Sequence, residues 1–269
     1  MKSNLFLRVV SALVLTPFVL AAIIYGNPAY DILLALVGSL MASEWEKMIC
    51  NKTSWVAVCL TLMSCLVVFL TPSDPVWPLI IVPVFALFLY IKTKQNVLLS
   101  FGAFYIGIPL LSLAYIAYFS GADDLGYSPM YVLWVLFVVW ATDTGGYVIG
   151  KSIGGPKLCP KISPKKTWSG LLGAIAFSAL TTYIFVITMN HYYGSQLPMK
   201  FLVLSSVGLA IVSQVGDLFE SKIKRYLEIK DSGNLIPGHG GIFDRVDGLL
   251  FAAPVVALFV LLMNMGVFS

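Results

Sequence analysis

The apolar residues of this chain gather into runs of about 20, the length a helix needs to cross a hydrocarbon core about 30 Å thick at 1.5 Å per residue. Nine runs stand out, at 6–25, 29–48, 55–70, 76–91, 97–119, 129–150, 168–189, 201–221 and 248–267. Each predicts a helical span, and together they predict an all-α, polytopic membrane bundle. The first run has the basic start of a signal peptide. It reads as a span instead, because its apolar core is long and no short polar region with a small-residue cleavage site follows. Composition removes the soluble alternative. Of 269 residues, 59% are hydrophobic and 11% charged, where a soluble domain would carry about 25% charged residues.

Charge adds an orientation. Nine spans put the two ends of the chain on opposite sides of a membrane. With the amino terminus cytoplasmic, all of the 17 Lys and Arg residues except Lys200 fall in cytoplasmic segments. Basic residues favour that side, so a wrong span count would have scattered them. Asp74, Asp123 and Asp124 then fall on the far side. Two cytoplasmic segments, 151–167 and 222–247, exceed what a connector needs, and such loops usually bind something or are disordered. Both are rich in Gly, Pro and Lys. The expected division is 1–128 as N-terminal membrane helices and 129–269 as the region carrying the chemistry.

The four cysteines, Cys50, Cys59, Cys65 and Cys159, form no CxxC pair and have no neighbouring histidine. They read as apolar fillers plus one loop thiol, and a zinc or redox site is not expected. Acids are the more informative residues, since one inside a span costs roughly 2.5–3.5 kcal/mol on insertion scales. Asp217 and Glu220 lie near the cytoplasmic end of span eight, on one helical face with Ser221 and Lys224. Asp244 and Asp247 lie three apart at the start of span nine, and Asp143 near the cytoplasmic end of span six. These carboxylates would gather at one depth beside the basic residues of the two loops. Such a set can hold a hard cation together with substrate phosphates, Lys and Arg taking the phosphate oxygens. Alternatively, the acids pair with those same Lys and Arg at a wet interface.

Gly238-His239-Gly240-Gly241 precedes Asp244. Glycines there would let backbone N–H groups approach a phosphate at the start of span nine, and His239 is a candidate beside them; a plain turn is the alternative. Ser163-Pro164-Lys165-Lys166-Thr167 offers two hydroxyls and two ammonium groups just before span seven. It reads either as a phosphate-binding segment or as a solvated basic loop that sets topology. His191 falls on the far side and is given no role.

These residues also carry a family pattern. Ser221, Lys224-Arg225, Lys230-Asp231, Gly233, Pro237, His239-Gly240-Gly241 and Asp244-Arg245-x-Asp247 stand in an order and spacing that closely resembles the signature of the phosphatidate cytidylyltransferases, or CDP-diacylglycerol synthases. WATDTGGYVIGK (140–151) and SPKKTWSG (163–170) are similar to further segments of that family; Gly146 stands where many members have Ala. The resemblance is specific over about 140–250 and extends to the first five spans only in hydropathy.

The resemblance implies a reaction in which CTP and phosphatidate give CDP-diacylglycerol and pyrophosphate. It implies Mg²⁺ held by Asp217, Asp244 and Asp247, with Glu220 in the same set; a second cation could help clamp the attacking and leaving oxygens. Lys224, Arg225, Lys165 and Lys166 would neutralise the triphosphate. Ser163, Thr167, Lys230, His239, Gly240, Gly241 and Arg245 would complete the nucleotide site. The implied setting is a bacterial inner membrane, with the site facing the cytoplasm and membrane lipid and a second copy of the chain as partners; no nucleic-acid partner is expected. No long soluble extension is present, which favours the bacterial membrane over an organelle.

Two related activities, CDP-archaeol synthesis and polyprenol phosphorylation, are the near alternatives. Cation-coupled transport is the distant one. A transporter would show spans broken near the midplane and an internal repeat, whereas the acids here lie near span ends and no repeat is visible.

Overall fold

A computed structural model of the chain describes residues 2–120, 128–194, 197–235 and 240–266, without the side chains of 2–10 and 12. Among these residues the elements are α1 (Lys2–Tyr25), α2 (Ala29–Cys50), α3 (Trp55–Leu70), α4 (Val76–Lys92), α5 (Val97–Phe119), α6 (Met130–Ile153), β1 (Lys157–Cys159), β2 (Ser163–Thr167), α7 (Trp168–Tyr193), α8 (Met199–Tyr226) and α9 (Phe243–Asn264). A helix stands at each of the nine apolar runs, so the described residues are all-α apart from one hairpin. Among the described residues five helices, α5 to α9, are long and apolar enough to cross a membrane.

The helices differ from the apolar runs at the ends that matter for chemistry. α8 continues past Ser221 to Tyr226, and α9 begins at Phe243 rather than Gly248. Hydropathy stops at a charge, whereas a helix does not. Lys and Arg are good helix formers, and Lys224 and Arg225 sit in the last turn of α8, where the helix dipole favours cations. Asp244 sits in the first turn of α9, where it favours anions. Between α6 and α7 a hairpin replaces the expected loop: β1 pairs antiparallel with β2, Lys157 opposite Thr167 and Cys159 opposite Ser163. Gly154 and Gly155 end α6 in the left-handed region, at φ +68° and +103°, where a side chain would be strained. Strands of three and five residues are too short to leave a period in the sequence.

The chain forms two compact units, Met1–Val132 with Tyr226–Val246 and Val256–Ser269, and Leu133–Arg225 with Asp247–Val255. In the first unit α5 packs on α2, α3 and α4, around buried Trp45, Leu60, Met63, Leu89 and Ile106. Trp45 Nε1 donates to the Leu98 carbonyl at 3.1 Å. The start of α3 is held by α2. Glu46, itself buried, accepts from Ser54 N at 2.7 Å and Ala57 N at 2.9 Å and also from the Ser54 hydroxyl. Ser54, the N-cap residue, therefore turns its hydroxyl to Glu46 instead of capping the helix itself.

In the second unit α6 and α7 approach through small residues, as helices in lipid commonly do. A Cβ on Gly145 would meet the Gly173 carbonyl oxygen at 2.6 Å and Phe177 Cβ at 2.7 Å. Polar contacts fasten the same helices: Trp134 Nε1 donates to Thr182 Oγ1 at 3.0 Å, and Ser178 Oγ to the Ser206 carbonyl on α8 at 3.2 Å. Gly146, one residue on, is different. A Cβ there would meet nothing nearer than Gln214 Nε2 at 3.6 Å, so an alanine fits where the family pattern often has one. Gly145→Ala should therefore destabilise by about 1–3 kcal/mol. Gly146→Ala should be neutral or stabilise by about 0.5–1 kcal/mol. Thermal unfolding of the two purified variants in one detergent checks the order.

Candidate active site

The second unit brings a lysine to a carboxylate. On strand β2 Pro164 and Lys165 are exposed, while Lys166 and Thr167 are turned inward. Lys166 Nζ lies 2.7 Å from Asp217 Oδ2 and 3.5 Å from the Gln214 carbonyl on α8. One turn along α8, Ser221 Oγ donates to Asp217 Oδ1 at 3.3 Å. Glu220, 3% exposed, pairs with Lys224 on the next turn. Thr167 ends the strand as the N-cap of α7; its Oγ1 accepts from Gly170 N at 3.1 Å. Its hydroxyl is thus engaged in architecture.

Two glycines beside the acids let α8 and α9 come together. A Cβ on Gly216 would meet the Asp247 carbonyl oxygen at 2.6 Å and Phe251 Cβ at 3.1 Å, and one on Gly248 would overlap Ser213 Oγ. Phe219 and Phe251 pack with ring centroids 5.3 Å apart beside this crossing. Each glycine adjoins an acid, Gly216 before Asp217 and Gly248 after Asp247, so the close approach brings the acids together. Asp247, half-buried, feels the charges of Asp217, Asp143 and Glu220. Its hydrogen-bond donor is the adjacent Gly248 N at 2.7 Å. Asp217 and Glu220 have ammonium partners, while among the described residues Asp247 has none.

Asp244 lies in the first unit and is differently engaged. Its Oδ2 accepts from Ser232 N at 2.9 Å, Ser232 Oγ at 3.0 Å and Gly241 N at 2.9 Å. Beside it is a residue that the sequence reading passed over. Glu44, in the C-terminal third of α2 and 2% exposed, accepts from Ile242 N at 2.9 Å, Phe243 N at 3.1 Å and Ser232 Oγ at 3.2 Å. The N–H groups of 241–243, expected to be open to a phosphate, are thus occupied by the protein's own carboxylates. The glycines make room for them. Gly240 is left-handed at φ +85°, where a Cβ would meet Asp244 Oδ2 at 2.7 Å, and a Cβ on Gly241 would meet Glu44 Oε1 at 2.6 Å. The available signal for Glu44 was an acid inside a predicted span. Glu46, two residues on, carries the same signal.

Of the other candidates, Ser163 is half-buried and Lys230, Arg225 and Arg245 are exposed. His239 lies outside the described residues. No three acidic, histidine or cysteine side chains among the described residues stand close enough to enclose a metal ion. The donor chemistry of Asp217 and Asp247 nevertheless suits Mg²⁺, which takes oxygen ligands and needs only one or two carboxylates when phosphates and water complete its shell.

Apolar helices that end in clustered carboxylates and lysines suit a membrane-embedded enzyme of phosphate chemistry. The chain belongs to the cytidylyltransferase family, whose profile matches residues 6–263. It is 33% identical over 260 residues to a phosphatidate cytidylyltransferase of Rickettsia bellii (strain RML369-C), covering 95% of this chain and 90% of that protein. A Rickettsia felis (strain ATCC VR-1525 / URRWXCal2) protein of the same name is 32% identical over 259 residues, covering 95% and 92%. One from Brucella melitensis (biotype 1, strain 16M) is 44% identical over 159 residues, 59% of this chain and 55% of that protein.

The Lys166–Asp217 pair has a measurable signature. Removing one partner leaves a partly buried charge unpaired, so Lys166→Met and Asp217→Asn should each destabilise by about 1–3 kcal/mol. The double variant should lose less than the sum, with a coupling of about 0.5–3 kcal/mol. Unfolding of the four proteins under one condition measures it.

Proposed function

We propose that this protein transfers the cytidylyl group of CTP to phosphatidate, giving CDP-diacylglycerol and pyrophosphate. The observation that carries the reading is Asp247, a carboxylate among like charges with no ammonium partner among the described residues, in a chain of the cytidylyltransferase family. Such a group calls for a cation. Its neighbours Lys166 and Lys224 are placed beside carboxylates at the same helix ends. The names of the Rickettsia and Brucella relatives support the same substrate pair.

A phosphate monoester has a second pKa near 6, so phosphatidate is already largely dianionic at neutral pH and needs no strong base. Its oxygen forms the new bond to the α-phosphorus of CTP. The bond from that phosphorus to the bridging oxygen breaks, and the electron pair leaves with pyrophosphate. Positioning and charge stabilisation are the main tasks left to the protein. Lys165, exposed on β2, meets the triphosphate from solvent. Lys166 exchanges Asp217 for a phosphate oxygen of CTP, and Lys224 and Arg225 balance the departing pyrophosphate. Asp217 and Asp247 would hold Mg²⁺, which when bound supplies positive charge at the reacting phosphates. Asp244 holds the loop between α8 and α9 in shape.

In this reading all nine helices span a bacterial inner membrane, with the amino terminus and the site on the cytoplasmic side. The lipid then arrives within the membrane and CTP from the cytoplasm, and two copies of the chain associate. The basic-residue distribution supports the orientation. Purified protein given radiolabelled CTP, phosphatidate and Mg²⁺ should make labelled CDP-diacylglycerol. Asp247→Asn should stay folded, lose roughly 10–100-fold in turnover and need more Mg²⁺ for half-activation. A wild type that makes no such lipid, or an Asp247→Asn variant with normal turnover and an unshifted Mg²⁺ curve, would contradict the proposal.

A further inference from the structure

Glu44 is buried at 2% exposure, and among the described residues no lysine or arginine pairs with it. A carboxylate placed so deep is held only if strong donors meet it. Here they are Ile242 N, Phe243 N and the Ser232 hydroxyl. The first turn of α9 offers N–H groups that its own residues cannot satisfy, since its N-cap residue is Ile242, which has no side-chain acceptor. Glu44 supplies the missing acceptor from α2, and its charge suits the positive end of the helix dipole.

Neighbouring contacts fix the same turn. Trp45, the next residue, packs against Phe243 with ring centroids 5.7 Å apart, and Tyr105 of α5 stacks on Phe243 at 5.5 Å with the planes 4° apart. Ser232, bonded to both Glu44 and Asp244, ties the loop between α8 and α9 to this turn. Phe243 opens the helix on which Asp244 and Asp247 lie.

We infer that Glu44 is a positioning residue for cytidylyl transfer: it seats the first turn of α9 and the loop at Ser232 and Gly241, and so sets the carboxylates of that helix. The inference rests on the reaction proposed above. Glu46 provides the control, because it holds the start of α3 by the same chemistry two residues away and has no link to the 232–244 segment among the described contacts.

The test compares wild type, Glu44→Gln and Glu46→Gln as purified full-length proteins. It measures thermal stability, kcat and KM for CTP with phosphatidate, and amide hydrogen exchange at 241–243. Both variants should lose some thermal stability. Glu44→Gln should lose about tenfold or more in kcat, the usual scale for a residue that orients a site from behind. Its KM for CTP should stay within about threefold, because the lysines of β2 meet the nucleotide. Its amides at 241–243 should exchange faster. Glu46→Gln should keep the kcat of its folded fraction and slow exchange at 241–243. Wild-type kcat in folded Glu44→Gln, or the same kcat loss in Glu46→Gln, would overturn the positioning role while leaving the reaction standing. A wild type without turnover would overturn the reaction itself.

Discussion

A carboxylate at the end of an apolar helix must find donors or a cation, because lipid offers neither. The rest of this structure depends on how that constraint is met. Glu46 meets it with the N–H groups at the start of α3, Glu44 with those at the start of α9, and Asp244 with Ser232 and Gly241. Asp217 and Glu220 meet it with lysines. Asp247 alone of these keeps only its neighbour's N–H among the described residues. The acids thus divide by what holds them. Those held by backbone N–H groups fix where helices begin. Those held by ammonium groups, or by almost nothing, are the ones the proposed reaction draws on.

Glycine sets the geometry of the second group. Gly216 and Gly248 let the backbones of α8 and α9 approach until Asp217 and Asp247 lie in each other's field. Gly145 does the same for α6 and α7. Close approach in lipid is gained by removing side chains, since no hydrophobic force drives one apolar helix onto another. A lysine on an outward-turned hairpin position and one on an inward-turned position then give the site two cations with different exposure, Lys165 and Lys166.

Helix number, order and most boundaries were legible because an apolar run of about 20 residues has few other readings. Helical spacing and acid placement predicted one group of Asp143, Asp217, Glu220, Asp244 and Asp247; Asp143, Asp217 and Glu220 do act on Asp247, whereas Asp244 is engaged by Ser232 and Gly241. Three features were not legible. The β1–β2 hairpin is too short for a period and is interrupted by prolines. The ends of α8 and α9 extend into polar sequence, where hydropathy carries no signal. The glycine-rich turn before Asp244 read either as an anion site or as a plain turn, and the N–H groups of 241–243 face Glu44 and Asp244. The pairing with Glu44 joins residues 198 and 199 positions apart, and no local pattern encodes it.

In the proposed reaction Asp247 serves a cation, whereas Glu46, held by backbone N–H groups, serves the fold. Binding of Mn²⁺ in place of Mg²⁺, followed by electron paramagnetic resonance with CTP present, separates the two roles without reference to turnover. Wild type and Glu46→Gln should bind the ion with similar affinity, and Asp247→Asn should bind it roughly 10–100-fold more weakly. Equal Mn²⁺ binding by all three folded proteins would contradict the account.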